Sequence, residues 1–198
     1  IDTDNAAFTI HGSNLKINAS PDYETQSSYN IILVSKDSGG LSYTKAITLK
    51  VNGIATDISL SNSNFNENID PGTVVARLSA KDDEPSYTHT YELVGGAGDT
   101  DNAAFKIEGR NLKINASPDY ESQSSYNIRL KTTDSGGLSY TKAVTFNVNN
   151  IIETTRSSTD WVLSNSVENL TLTGYANING TGTNSDNTIT GNSGNNKL

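Results

Sequence analysis

The 198-residue chain has no cysteine and no methionine, and a single tryptophan. Without cysteine there is neither a disulfide staple nor a thiolate metal site, a usage compatible with a secreted bacterial protein. Basic residues are scarce: 14 Lys and Arg face 22 Asp and Glu, for a net charge of −8. Such a chain has no general attraction for nucleic-acid phosphates or for an anionic membrane surface, and divalent cations are the charged partners that suit it. The longest apolar run, Ile31-Ile32-Leu33-Val34, is far too short to span a bilayer, and no signal peptide opens the sequence. Catalytic signatures are missing as well. There is no nucleophile elbow, no phosphate-cradling glycine loop and no His-x-x-x-His pair, and the many serines lack a base. The chain is therefore expected not to be an enzyme.

Apolar residues make up 33% of the composition, so any core is thin. What the sequence does have is Ser, Thr, Asn and Gly between short runs of β-branched and aromatic residues, which points to an all-β fold. It also repeats itself. Residues 2–52 and 99–149 match at 40 of 51 positions with a constant offset of 97. A unit of that length can bury its own core, so the repeat predicts tandem domains, with residues 1–52 the C-terminal half of one and residues 53–151 a complete one. The chain is on this reading a fragment that begins partway through a domain.

Within the complete unit, Asp57-Ile58-Ser59-Leu60, Val75-Ala76-Arg77-Leu78, Tyr126-Asn127-Ile128-Arg129-Leu130 and Ala143-Val144-Thr145-Phe146 alternate apolar and polar residues. Turn signals at Asp70-Pro71-Gly72, Gly95-Gly96 and Asp134-Ser135-Gly136-Gly137 separate them, which predicts about seven short strands in an antiparallel Greek-key sandwich. Ile32 and Val34 become Arg129 and Lys131 in the second copy while Ile31 and Leu33 stay apolar, which assigns the variable pair to the outer face.

After Asn150 the cadence changes. Residues 152–181 form a β-rich lead-in, and residues 182–198 carry a nine-residue step with Gly182 and Gly191 opening each unit and Ile189 and Leu198 at the eighth place. That period suits a parallel β-roll with the apolar residue inside.

Asn66-Glu67-Asn68, Leu78-Ser79-Ala80-Lys81-Asp82-Asp83-Glu84, Asp119-Tyr120-Glu121 and Asp134-Ser135-Gly136-Gly137 stand in the order and spacing of a cadherin repeat. The unit resembles a bacterial cadherin-like domain, which implies an immunoglobulin-like Greek-key β-sandwich with calcium held at domain junctions. Carried across, the first junction would draw on Asp22, Glu24, Asn52, Asp82, Glu84 and Asp134, and the second on Glu67, Asp119, Glu121 and Asn149. Calcium takes six to eight hard oxygens, and an acidic-x-acidic spacing on a loop aims two carboxylates the same way. The linker departs from the family's acidic pattern: it reads Lys50-Val51-Asn52-Gly53, with Asn52 its one oxygen donor. The nonapeptides are similar to the calcium-binding repeats of hemolysin-type secreted proteins, but Asn187 and Asn196 replace the ligating aspartate and Asp186 is the one carboxylate.

Two functions follow from these likenesses. One is a calcium-stiffened adhesion or spacer module of a large bacterial protein, secreted or at the cell surface, whose partners are neighbouring repeats of the same chain and homophilic protein contacts. The other is a carbohydrate-binding accessory module of a polysaccharide-degrading enzyme, for which Tyr43 and Tyr140 are the candidate platform. His11, replaced by Glu108 in the other copy, and His89 are assigned no metal or catalytic role. Trp161 reads as a packing residue, and Asp37-Ser38-Gly39-Gly40 suits a hairpin turn with or without metal.

Overall fold

The alternation in the sequence becomes strands throughout. A computed structural model describes residues 4–83 and 87–198, and its elements are strands plus two short 3-10 turns, Asn5–Ala7 and Asn102–Ala104. Two compact units form, one of Ile1–Ile58, Ala80–Thr90 and Thr132–Tyr140, the other of Ser59–Ser79, Tyr91–Lys131 and Thr141–Leu198.

The first unit contains the partial copy. Strands β1 (Phe8–His11) and β2 (Asn14–Ile17) pair antiparallel, with His11 opposite Asn14. The two-residue connection needs positive φ, which Gly12 supplies at 65°. Strands β3 (Ser28–Lys36) and β4 (Ser42–Lys50) form a long hairpin in register from Ser28↔Lys50 to Lys36↔Ser42. Asp37 closes its turn by accepting the Leu41 N–H at 2.9 Å, as the Asp-Ser-Gly-Gly pattern predicts. Asp4 and Asn5 fasten the 3-10 turn to β3 by accepting the backbone N–H groups of Asn30 and Ile32. In the second unit Asp101 and Asn102 do the same for Asn127 and Arg129, so matched residues make matched bonds.

The complete repeat has strands β5 (Asp57–Leu60), β6 (Asn64–Asn66), β7 (Val74–Lys81), β8 (His89–Leu93), β9 (Phe105–Glu108), β10 (Asn111–Ile114), β11 (Ser125–Asp134) and β12 (Ser139–Asn149). They order as β5-β7-β10-β9 in one sheet and β6-β12-β11-β8 in the other, the Greek-key arrangement of immunoglobulin-like sandwiches. Eight strands stand where the sequence pattern predicts about seven, because the first strand breaks. Ser61 still donates to Arg77 of β7, but Ser63 already accepts from Asn147 of β12, and β6 continues in parallel with β12. In the second unit Phe105 meets Tyr126 and Phe146, and Phe65 meets all three, with ring centroids 5.5–6.2 Å apart. On the outer face Arg129 donates to Ala97 O and Thr141 Oγ1, and Lys131 pairs with Glu92. Val34, the counterpart of Lys131, is 54% exposed in the first unit, which bears out the outward assignment.

Beyond Asn150, strands β13 (Thr154–Ser157), β14 (Trp161–Val162), β15 (Asn169–Leu172), β16 (Gly180–Thr181) and β17 (Thr188–Thr190) pair in parallel, in the orders β13-β15-β17 and β14-β16. Asn169 faces Thr188 and Trp161 faces Gly180, a step of 19 residues in both cases. Parallel pairing thus begins at β13, inside the segment expected as a lead-in. Leu163, Leu170, Leu172 and Ile178 fill the interior, with Val167 and Ile189 against them. Gly180 is required there for space: a Cβ would lie 2.8 Å from Leu170 Cδ2 and 3.0 Å from Ile189 Cγ2. Gly180→Val is expected to destabilise this coil by about 1–3 kcal/mol through overpacking, read as a lower urea midpoint of Trp161 fluorescence. An unchanged midpoint would contradict the close packing.

Candidate metal centre

Three loops of the second unit end at one place. Glu67 follows β6, Asp119 and Glu121 lie in the loop before β11, and Glu153 and Glu168 immediately precede β13 and β15. Oxygens of Glu67, Asp119 and Glu121 lie within 4.8 Å of one another, and so do oxygens of Glu121, Glu153 and Glu168. Glu121 belongs to both groups and joins them.

Backbone geometry aims these side chains. Glu67 is 3% exposed, with Oε1 accepting the Ile151 N–H at 2.6 Å and Oε2 the Tyr120 N–H at 2.8 Å. Asn68, the one described non-glycine residue with positive φ, turns the chain here, and its Nδ2 donates to Glu153 Oε1. Asp119 closes its own turn by accepting from Glu121 N and Ser122 Oγ, and Ser166 Oγ reaches it at 2.9 Å. Asn150 Nδ2 donates to Glu121 Oε1, and Glu153 N donates to Glu168 Oε2. Glu121 Oε2 and Glu153 Oε2 are then buried without a hydrogen-bond partner.

Among the described residues, none of the recorded ion pairs gives these five carboxylates a Lys or Arg. Two like charges 4 Å apart repel by about 4 kcal/mol at an effective dielectric of 20. Burial pushes the Glu153 carboxyl up to about 7, helped by the Glu168 carboxylate beside it and by the charge of Glu67. Burial raises Glu121 too, with the charges of Glu67 and Glu168 adding to it. Burial is the largest single influence on Glu168 and works upward, but hydrogen bonds from the Glu153 backbone and side chain outweigh it and hold that carboxyl low. Asp119 is lowered by the Ser122 hydroxyl, with burial opposing and Ser166 assisting. Without a cation, the raised Glu153 carboxyl lets the cluster lower its charge by taking up a proton below about pH 7.

The donor set is all hard oxygen, it includes buried oxygens of Glu121 and Glu153 that no donor reaches, and no thiolate or imidazole joins it among the described residues. That fits calcium and does not fit zinc. Glu121, Glu168, Asp186, Asn150 and Asn187 are among the residues that line a cavity of about 420 Å³.

Three of the four residues expected at this junction, Glu67, Asp119 and Glu121, come together. Asn149 instead donates its amide to Asn66 Oδ1, and Asn150 contacts Glu121. Glu153 and Glu168 were not expected. Glu153 has a weak signal, an acidic residue just past the linker, whereas Glu168 arrives from a later strand of the coil and nothing local in the sequence marks it.

The residues expected at the first junction are differently engaged. Asn52 Nδ2 donates to both oxygens of Asp134, at 3.3 and 3.2 Å, while its Oδ1 is buried without a partner. Asp82 Oδ2 meets His89 Nε2 at 2.9 Å. Asp22 accepts from Thr25 Oγ1 and Glu24 N, and the Thr25 hydroxyl lowers its pKa; Glu24 is exposed. Glu84 lies outside the described residues. Among those described, no three carboxylates of this set come within 4.8 Å. In residues 182–198, Asn187 Oδ1 accepts from Thr183 N at 2.6 Å, and Asn196 Nδ2 donates to Asn192 Oδ1 at 2.9 Å, so amides close these turns. Tyr43 is exposed in β4 and Tyr140 half-buried in β12.

No family model matches the chain. Protocadherin Fat 2 of Rattus norvegicus is 28% identical over 137 residues and that of Mus musculus 29% over 139, each covering 64% of this chain. The sequence likeness is to cadherins. The chain spans only 3% of those relatives' length. Among solved structures, the human desmocollin-1 ectodomain aligns over 80% of this chain and 35% of its own at 17% identity, with a TM-score of 0.39. A protocadherin gammaB7 EC3-6 cis-dimer structure aligns over 77% and 42% at 21% identity, with a TM-score of 0.38. The chain is all-β, and among its described residues no helix is long and apolar enough to cross a membrane.

Proposed function

We propose that the chain is a calcium-binding, non-catalytic adhesion or spacer module of a large bacterial protein that works outside the cell, with calcium stiffening the passage from the complete repeat into the parallel coil. The observation that carries this reading is the convergence of Glu67, Asp119, Glu121, Glu153 and Glu168 without a cationic side chain, with an unsatisfied buried oxygen on Glu121 and on Glu153. Calcium would take oxygens from these residues and supply the positive charge that the cluster lacks. Glu121, shared by both groups, would be the ligand whose loss is felt most. A stiff joint lets successive modules hold a fixed direction, which serves a spacer, and it orders their surfaces for homophilic contact between like modules, which serves an adhesin. In an exported protein, the low calcium inside the cell would leave the joint loose until secretion.

Isothermal titration of the chain with calcium chloride tests this. Saturable binding is expected, weakened at least about tenfold, or about 1.4 kcal/mol, by Glu121→Gln. Absence of binding heat up to 10 mM calcium, or identical isotherms for the variant and the unaltered chain, would overturn the assignment. At the first junction we propose a second calcium position drawing on Asp22, Glu24, Asn52, Asp82, Glu84 and Asp134, supported by the unsatisfied Asn52 Oδ1. Asp82→Asn is expected to remove one calcium equivalent while leaving the Glu121-dependent site intact. An unchanged stoichiometry would exclude it.

A further inference from the structure

The glutamate cluster gathers charge, whereas the coil beyond it gathers oxygens and supplies its own donors. Residues 173–198 carry one acid, Asp186, and one base, Lys197, so their own charges cancel. Two pairs of oxygens in the turns share a single donor each. The carbonyls of Thr173 and Ala176 both accept from Asn192 Nδ2, at 3.1 and 3.0 Å. Ile178 O and Asn192 Oδ1 both accept from Asn196 Nδ2, at 2.7 and 2.9 Å. A side-chain amide nitrogen carries two N–H groups and accepts nothing, so each of these spans two oxygens as a divalent cation does, but without charge.

Asparagine oxygens join the successive turns as well. Asn195 N donates to Asn177 Oδ1 at 2.8 Å and Lys197 N to Asn179 Oδ1 at 2.9 Å, while Asn192 Oδ1 takes the Gly194 N–H at 2.9 Å. Gly194 lets the turns approach, since a Cβ there would overlap the carbonyl oxygen of Ala176. Nearer the cluster, Thr188 N donates to Glu168 O at 2.9 Å, which fixes the backbone of one cluster glutamate from within the coil. We propose that the coil is closed by its own amide nitrogens and orders without a metal ion, so that Glu168 stands in place before calcium reaches the cluster. The part about calcium rests on the function proposed for the cluster, and the amide bracing does not. The module is thereby divided into a coil that is ordered with or without metal and a joint that metal sets.

Amide exchange of the intact chain, in EDTA and again in 10 mM calcium chloride, is the test. The N–H groups of Gly180, Thr188 and Gly194 donate to Lys197 O, Glu168 O and Asn192 Oδ1. In EDTA they are expected to be protected at least about 30-fold, and calcium is expected to change their rates less than about threefold. Asn196→Asp keeps the size of the side chain but sets an acceptor against Ile178 O and Asn192 Oδ1, and is expected to speed exchange of Gly180 and Gly194 in EDTA at least about tenfold. Asn177→Asp adds the same charge to a residue that serves as an acceptor and whose Nδ2 has no partner among the described residues, and is expected to leave those rates within about threefold. Protection of β9–β12 shows in each variant that the sandwich is folded. Free exchange of the three N–H groups in EDTA, with protection only in calcium, would overturn the proposal, and so would equal effects of the two variants. Protection in EDTA with no calcium effect anywhere in the chain would overturn the function proposed for the cluster and leave the bracing standing.

Discussion

Phe105→Ala is expected to cost about 3–5 kcal/mol, and Phe8→Ala, the same residue in the same local sequence, less than about 1 kcal/mol. Phe105 is 4% exposed and touches three other rings, Phe65, Tyr126 and Phe146. Its loss opens a cavity that β-strands pinned from two sheets cannot collapse, and it removes edge and stacking contacts worth about 0.5–1.5 kcal/mol each. Phe8 has one ring neighbour, Tyr29 at 5.3 Å, and it borders a cavity that already exists. Truncating it enlarges an opening instead of creating one. For a chain of this size the first substitution corresponds to a fall of about 6–20 °C in the melting temperature, the second to a few degrees at most. Calorimetry of both variants decides the matter. Equal costs would mean that the partial copy is packed as tightly as the complete one.

That contrast shows what the sequence could and could not convey. The strand register was legible because one face of each strand is buried: Ile31 and Ile128 lie inward in both copies, and a slip by one residue would have exposed them. The Asp-Ser-Gly-Gly turns were legible because the chemistry is local, an aspartate oxygen accepting an N–H four residues on. The break between β5 and β6 was not, since Ser61-Asn62-Ser63 contains no proline or glycine and the strand changes sheets through its partners Arg77 and Asn147, both remote in sequence. The candidate site divides along the same line. Asp119 and Glu121 announce themselves by spacing, and Glu67 by its position before the loop. Glu168 is brought to them by the parallel pairing of β13 with β15, a register that no periodicity within its own segment specifies. Glu153 and Glu168 also come from outside the 97-residue repeat, so comparing its two copies had no place for them.

Calcium and pH should act on the molecule in a linked way, with Glu153 setting the sign. In the metal-free chain its pKa lies at about 7 against an ordinary value of 4.5. The folded state therefore holds a proton that the unfolded state has released, and metal-free stability declines as pH rises from about 4.5 to about 7. Calcium held as proposed would reverse the demand, because a ligating carboxylate must be ionised. Binding should expel the Glu153 proton near pH 6 and grow stronger up to about pH 8. At one hundred times the dissociation constant, calcium adds about 2.7 kcal/mol, or about 5–10 °C, and chelation should return the melting temperature to its starting point. At pH 5.5 the same calcium concentration should produce a markedly smaller rise. Glu153→Gln separates this account from a merely structural role for the side chain. The amide keeps the length of the glutamate but carries no charge among Glu67, Glu121 and Glu168, so the metal-free variant at pH 8 is expected to be more stable than the unaltered chain while its calcium increment shrinks. A variant that loses stability without calcium and keeps the full increment would place Glu153 outside the proposed metal centre and leave Glu67, Asp119, Glu121 and Glu168 as its carboxylate set.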